Sequence, residues 1–495
     1  MAHSPKNAPT GSDGSPLLRL EDAEALGVDE VLGLYRDFVN PGQAEIFSTF
    51  GFGQTLFSRA KGMYMTTVDG REILDFTGGF GVLSHGHNHS RILDARIRFQ
   101  QRERMEVHKV VVSPYLAALS HNIATLLPAG LNKCFLPNSG AEAVEGALKA
   151  THKFHGGTRK HVLHSDISFH GKLIASGAIS GSNGDADQFP EFPNTRAFAY
   201  NDLASVEEAV RELRTAGGAC DVYALIVEPY NASSMTGATT AFLQGLRAIC
   251  DRESIMLIFD EVFTGWGKSG SLFAFLEHGV NPDALTMSKA LGGGKSSISC
   301  LVLDDRLFDG AYGKTGDALL HTSTYNGFGE ECATAIEAIN IVVEDDYPAR
   351  ARHIHERLNG GLQALQARFP DAIREVRGRG AINGIVLRTP LEALQNAVAG
   401  LPLKAIRDKR GFVNKITTAA VVDEMFAQHG ILVAISENRD LVILSAAPSL
   451  IVTDAEIDRF LDSLGETLSR GLKSLSLRFV ANGLRHRMTT PNETS

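Results

Sequence analysis

From about residue 91 onward the chain alternates two hydrophobic patterns. Short unbroken apolar runs stand at K-C-F-L-P (133–137), H-V-L-H (161–164), Y-A-L-I-V-E-P (223–229), I-M-L-I-F-D-E (255–261) and S-C-L-V-L-D (299–304). Between them lie segments with apolar residues on one helical face, at 141–151, 204–214 and 240–250. Runs that are apolar throughout predict strands buried on both sides, and the one-sided segments predict covering helices. The expectation is an α/β protein with a mainly parallel sheet covered by helices on both faces. Such sheets bind ligands beyond the C-terminal ends of their strands. Asp260 and Glu261 close one predicted strand, and Glu228 closes another.

The flanks read differently. Asn40-Pro41-Gly42 breaks the helical and turn signals of residues 20–50. Residues 62–76 predict a β-hairpin turned by Asp69-Gly70, and a glycine-rich loop follows. Residues 330–345 predict a long bridging helix into a smaller α+β unit. That unit holds a turn and strand at 377–387, strands at 431–435 and 441–446, and a helix at 454–468 capped by Thr453. The resulting division is a disordered lead (1–18), an N-terminal segment (19–75), a large domain (76–335), a small C-terminal domain (336–475) and a tail (476–495). Residues 389–415, rich in lysine and arginine, read as an insertion, and the final stretch as frayed.

Composition narrows the class. A hydrophobic content of 43% over 495 residues supports a large core, and the length suggests two or three domains. A net charge of −9 argues against a nucleic-acid partner. Five widely spaced cysteines, with no CxxC pair, argue against a disulfide framework or zinc site. There is no secretory signal and no membrane-length apolar run, so the cytoplasm is the expected compartment.

Four local features carry candidate chemistry. Asp260 ends a buried run, where an acid is costly unless paired with a pyridinium nitrogen, a metal or an arginine. Lys289 precedes Gly292-Gly293-Gly294; a lysine in a dry pocket becomes a nucleophile for aldehydes. Ser139, Gly140 and Ala141 open a predicted helix, where free N–H groups attract an anion, although an ordinary serine cap fits as well. Phe169 sits in a loop at strand ends and could stack on a flat ligand or simply fill core. Gly294-Lys295-Ser296 mimics the tail of a P-loop, but Lys289 occupies the position of the required glycine. His85, His87 and His89 alternate without a nearby acid or cysteine in sequence, which favours structural histidines over a metal site.

Aldehyde-binding lysine, strand-end acid, aromatic platform and anion-binding helix start together describe a pyridoxal 5′-phosphate (PLP) site. From about residue 30 to 470 the chain resembles the class III aminotransferases of fold type I. The resemblance rests on D-G-R-E-I-L-D-F, G-H-N-H, N-S-G-A-E-A-V-E, F-H-G-K, L-I-V-E-P, F-D-E-V-F-T-G-W-G, P-D-A-L-T-M-S-K-A-L-G-G-G, H-T-S-T-Y and A-P-S-L. It implies that Lys289 forms the Schiff base and shuttles a proton, and that Asp260 pairs with the pyridine nitrogen. It implies that Phe169 and Val262 flank the ring, and that Ser139, Gly140 and Ala141 cradle the phosphate. Ser323 and Thr324 would reach the phosphate of a neighbouring subunit in a homodimer with shared active sites.

The implied reaction moves an amino group between an amine or amino acid donor and a keto acid or aldehyde. An aminomutase or racemase on the same fold, or a non-catalytic PLP-binding protein, are the alternatives. Three positions depart from many relatives. Ser445 stands where an arginine holds a substrate carboxylate, and Ser233 near the glutamate that pairs with it. Phe263 replaces a glutamine near the cofactor's phenolic oxygen.

Overall fold

A computed structural model describes residues 17–181, 192, 194–390 and 412–489. Gly70, at φ 87°, turns the expected hairpin, and β1 (Phe57–Lys61) pairs with β2 (Tyr64–Thr67), which pairs with β3 (Glu72–Asp75).

Seven strands build the central sheet: β4 (Leu131–Phe135), β5 (His161–Ser165), β6 (Thr195–Phe198), β7 (Val222–Val227), β10 (Met256–Asp260), β11 (Ala284–Met287) and β12 (Cys300–Asp304), in the order β4-β12-β11-β10-β7-β5-β6. Between β7 and β10 a small hairpin, β8 (Tyr230–Asn231) and β9 (Thr236–Gly237), leaves the sheet. Among the described strands of this sheet β12 alone runs opposite to the other six.

Period-two alternation divides each central strand between two cores. Leu225, Val227, Leu257, Phe259 and Leu285 face one hydrophobic cluster, which takes Phe242, Leu246 and Ile249 from the helix Thr240–Glu253. Ala224, Ile226, Met256, Ile258 and Ala284 face the other, which takes Val144, Ala147 and Leu148 from the helix Gly140–Phe154. Both faces are covered, as unbroken apolar runs require.

A second sheet is antiparallel, in the order β13-β14-β17-β16: β13 (Ile373–Arg379), β14 (Ile382–Leu387), β16 (Ala434–Asn438) and β17 (Leu441–Ala446). Between them β15 (Ile431–Leu432) pairs parallel with β3, so C-terminal residues complete the N-terminal sheet. Residues 377–387, expected as turn then strand, form the end of β13, a tight turn and β14, because Gly378 and Gly380 at positive φ turn an antiparallel pair. Thr453 caps Asp454–Ser469, and its hydroxyl accepts from Glu456 N. The helix Leu472–Thr489 follows; it buries Leu472 and Leu475 at its start, ahead of the stretch expected to fray. The lead to residue 16 and most of the basic insertion, 391–411, lie outside the described residues; the end of that stretch begins the helix Phe412–His429.

The two main sheets meet at a loop after β10. Lys268, completely buried there, donates to the carbonyls of Ala447 at 3.2 Å and Pro448 at 3.0 Å, just beyond β17. The β13–β14 turn docks on the same loop: Ala381 N donates to Lys268 O, and a Cβ on Gly380 would stand 2.3 Å from that oxygen. Gly380 has φ +55° against backbone, whereas Gly471 has φ +81° in open space. Gly380→Ala should therefore cost stability by at least about 2 kcal/mol more than Gly471→Ala, which pays only for the left-handed backbone. Chemical denaturation of both variants checks this; equal losses would show that the close approach carries no weight.

Candidate active site

The parallel strands deliver their C-terminal ends to one place. Asp260 is the last residue of β10, Glu228 follows β7, Lys289 follows β11 by two residues, Phe169 follows β5 by four and Ser139 follows β4 by four. This is where an open parallel sheet presents ligand-binding groups.

Asp260 is buried and fully engaged on one oxygen. Its Oδ1 accepts from Val262 N at 2.9 Å and from the Thr286 hydroxyl at 3.1 Å, Thr286 being its register partner on β11. Its Oδ2 lies 2.7 Å from His170 Nδ1. A carboxylate only accepts, so Nδ1 carries the hydrogen. His170 Nε2 is buried with no partner among the described residues. His170 has no role in the sequence reading, since its pairing spans 90 residues and no spacing rule reports it. Its place beside Phe169 in S-F-H-G was the available signal.

Lys289 sits at φ 48°, so its backbone is held in the left-handed region. Its Nζ lies 4.0 Å from the centre of the Phe263 ring. Loss of solvent lowers its pKa to about 8, against the opposing attraction of Asp260 and Glu228. A larger fraction of neutral, nucleophilic amine follows at neutral pH. Burial likewise pushes Glu228 up to about 7, with nearby His170 pulling it down and Asp260 pushing it up. Glu228 Oε2 accepts from Phe169 N at 3.0 Å and from the Asn231 amide at 2.6 Å.

Ser139 caps the helix Gly140–Phe154 through a reciprocal box with Glu142. Glu142 Oε2 takes the N–H groups of Asn138 at 2.7 Å and Ser139 at 3.1 Å. The next amides, of Gly140 and Ala141, begin the helix and have no intrahelical partner. A Cβ on Gly140 would stand 2.9 Å from a Val262 methyl and 3.5 Å from Ser288 Cβ; one on Gly171 would stand 2.7 Å from Ala141 Cβ. Helix start, Val262, Lys289 and the His170 loop are thus brought together. Phe169 keeps 41% of its surface exposed at this opening, held by its backbone.

Ser323 and Thr324 are not part of this assembly. Both are exposed, and Lys109 Nζ donates to Ser323 O at 3.2 Å. Ser445 is buried in β17 opposite Gly384 and Ala434. Ser233 is bound to Asn231 at 3.0 Å and Asn438 at 2.8 Å. The three loop histidines part company: His85 Nε2 meets Ala338 O at 3.0 Å, while His87 meets Asp75 at 3.0 Å, an acid that the fold brings near.

The Aminotransferase class-III family model matches residues 52–468. The chain belongs to the class-III aminotransferase family. A putrescine aminotransferase of Pectobacterium atrosepticum is 33% identical over 385 residues, 76% of this chain and 80% of that protein. The fold matches the ornithine aminotransferase of Toxoplasma gondii with a TM-score of 0.74 at 23% identity, over 91% of this chain and 97% of that one. An (S)-enantioselective omega-transaminase of Thermomicrobium roseum gives 0.71 at 22%, over 84% and 92%. These class-III aminotransferases are fold type I proteins, and this chain is a PLP-dependent enzyme of amino-group transfer.

The residues fit that cofactor. Among the described residues Asp260 Oδ2 has one bond where an oxygen accepts two, leaving room for a ring N–H. Gly140 leaves open the space a side chain would fill against Val262.

The Glu228 carboxyl gives a pH signature. Its native pKa of about 7 exceeds the ordinary 4.5, so between those values the native state holds a proton that the unfolded state has lost. Stability from this group is complete below pH 4.5 and is lost as pH rises through about 7. Glu228→Gln should flatten the fall in Tm across that window; an unchanged slope would show that Glu228 does not hold the proton.

Proposed function

We propose that this enzyme takes its amino group from a primary amine that carries no carboxylate, and passes it to a keto acid or aldehyde. The observation that carries the reading is the convergence of Lys289, the Asp260–His170 pair and the helix start at Gly140. PLP, when bound, supplies an aldehyde for the donor amine and a ring that takes up the electron pair left when the donor loses a proton. Lys289 would hold the cofactor's aldehyde end through its Nζ and would carry the proton. Asp260 holds the ring nitrogen protonated, and His170, with Thr286 and Val262 N, keeps the carboxylate in place. Phe169 and Val262 flank the ring and exclude water from its faces. Gly140 and Ala141 amides, with Ser139, take the phosphate.

Two further parts of the reading concern assembly and place. Ser323 and Thr324 serve the phosphate of a second copy in a homodimer. Their exposure supports this, as do bared apolar side chains: Leu319 and Tyr325 nearby in sequence, and Val110 and Val112 beside Lys109, which donates to Ser323 O. We take residues 76–335 as the cofactor-binding unit and 336–475 as the smaller unit. The cytoplasm is the proposed compartment, which five free cysteines support. Among the described residues no helix is long and apolar enough to cross a membrane.

The donor class rests on Ser445 and Ser233. Neither offers a guanidinium or a carboxylate; Ser445 is buried in β17, and the Ser233 hydroxyl is bonded within the protein. The putrescine aminotransferase relative supports an amine donor. A half-reaction screen tests the reading through loss of the bound cofactor's visible absorbance. Putrescine should convert the cofactor at least about tenfold faster than L-ornithine, the ratio expected when one carboxylate goes unpaired. A fast response to L-ornithine alone would contradict it.

A further inference from the structure

The loop that carries Phe169 is held from two sides. From the central sheet, the Ser168 hydroxyl donates to Ser165 O at 2.6 Å, and His170 reaches Asp260. The second set of ties comes from the other sheet. Asn438, at the end of β16 and only 3% exposed, donates its amide to Ile167 O at 3.0 Å and to the Ser233 hydroxyl at 2.8 Å. Ser436 Oγ donates to Ser233 O at 2.8 Å. The Ser233 hydroxyl donates to Asn231 Oδ1 at 3.0 Å. Asn231 Nδ2 donates to Glu228 Oε2, and that same oxygen accepts from Phe169 N.

Backbone groups settle the direction of this chain. Ser234 N donates to Asn231 Oδ1 at 2.8 Å, so the amide's oxygen must face that way and its nitrogen must face Glu228. Ile167 O can only accept, which fixes Asn438 likewise. Every link is therefore a true donor–acceptor pair. Buried polar chains of this kind hold one arrangement where apolar packing would allow several, because each broken link strands a desolvated group.

We propose that Asn438, Ser233 and Asn231 are positioning residues, a relay through Glu228 that sets Phe169 against the cofactor face according to where the C-terminal sheet sits. The proposal rests on the reading of Phe169 as a ring-flanking residue. It also gives Ser233 a use: the position carries a link between sheets and is unavailable to substrate. A shift of β16 draws on Ile167 O directly and on Phe169 N through the relay, two points within three residues of one loop.

The test uses the holoenzyme, with visible circular dichroism of the bound cofactor beside steady-state kinetics. Asn438→Leu is expected to change the cofactor's dichroic band at unchanged cofactor content. It should lower kcat by roughly tenfold or more with the donor KM within about twofold, the mark of misplaced reacting groups. Phe169→Leu should change the same band, and the double variant should show less than the sum of the two effects. A changed band in Phe169→Leu with an unchanged band and kcat in Asn438→Leu overturns the relay alone. An unchanged band in Phe169→Leu overturns the ring-flanking reading and the relay with it. If Asn438→Leu does not fold, Ser233→Ala reports on the same link. It should shift the band and Ser233→Thr, which keeps the hydroxyl, should recover it; identical spectra for both and wild type overturn the relay.

Discussion

A carboxylate at the end of a wholly buried strand must be paired, and much of this structure follows from how Asp260 is paired. It cannot turn to water, so neighbouring elements supply its partners: Thr286 from β11, Val262 N from its own loop and His170 from the loop after β5. One side chain thereby locks three strand ends into register. The same desolvation that makes Asp260 costly strengthens its field on whatever positive group completes the site. A pyridinium nitrogen is such a group.

The seam between the two main sheets carries an unusual set of buried ionisable groups. Burial lifts Glu228 and Glu261 to about 7 and lowers Lys268 to about 7 and Lys289 to about 8. Each is disfavoured as a charge, and each has a different remedy. Glu261 accepts from Phe275 N at 2.8 Å and the Thr264 hydroxyl. Lys268 spends its protons on two carbonyls beyond β17. Glu228 takes two N–H donors. Lys289 has the face of Phe263, a softer partner that leaves the amine free to react. The lysine whose charge is least tightly answered is the one beside Phe263, in the field of Asp260 and Glu228.

The central sheet was legible because its strands obey a simple constraint: both faces are covered, so each run is apolar throughout. The hairpin at 62–76 was legible from Asp69-Gly70. Residues 377–387 were misread because two strands joined by one tight turn leave too few residues to show alternation. Within the site, Asp260 and Lys289 could be picked out locally as costly groups in apolar or glycine-rich settings. His170, Asn231 and Asn438 could not. His170 and Asn438 act through contacts 90 and 271 residues away, the second with a backbone carbonyl, and Asn231 reads in sequence as an ordinary polar residue. Ser233 was noticed for what it lacks; the fold shows what it holds.

Two buried lysines with lowered pKa values lie near one another at this seam, and Lys289 is the one proposed to hold the cofactor. Borohydride reduction of the holoenzyme, followed by peptide mapping, separates them. A stable cofactor adduct is expected on Lys289 and none on Lys268. An adduct on Lys268, or no protein-linked cofactor after reduction of the coloured enzyme, would contradict it.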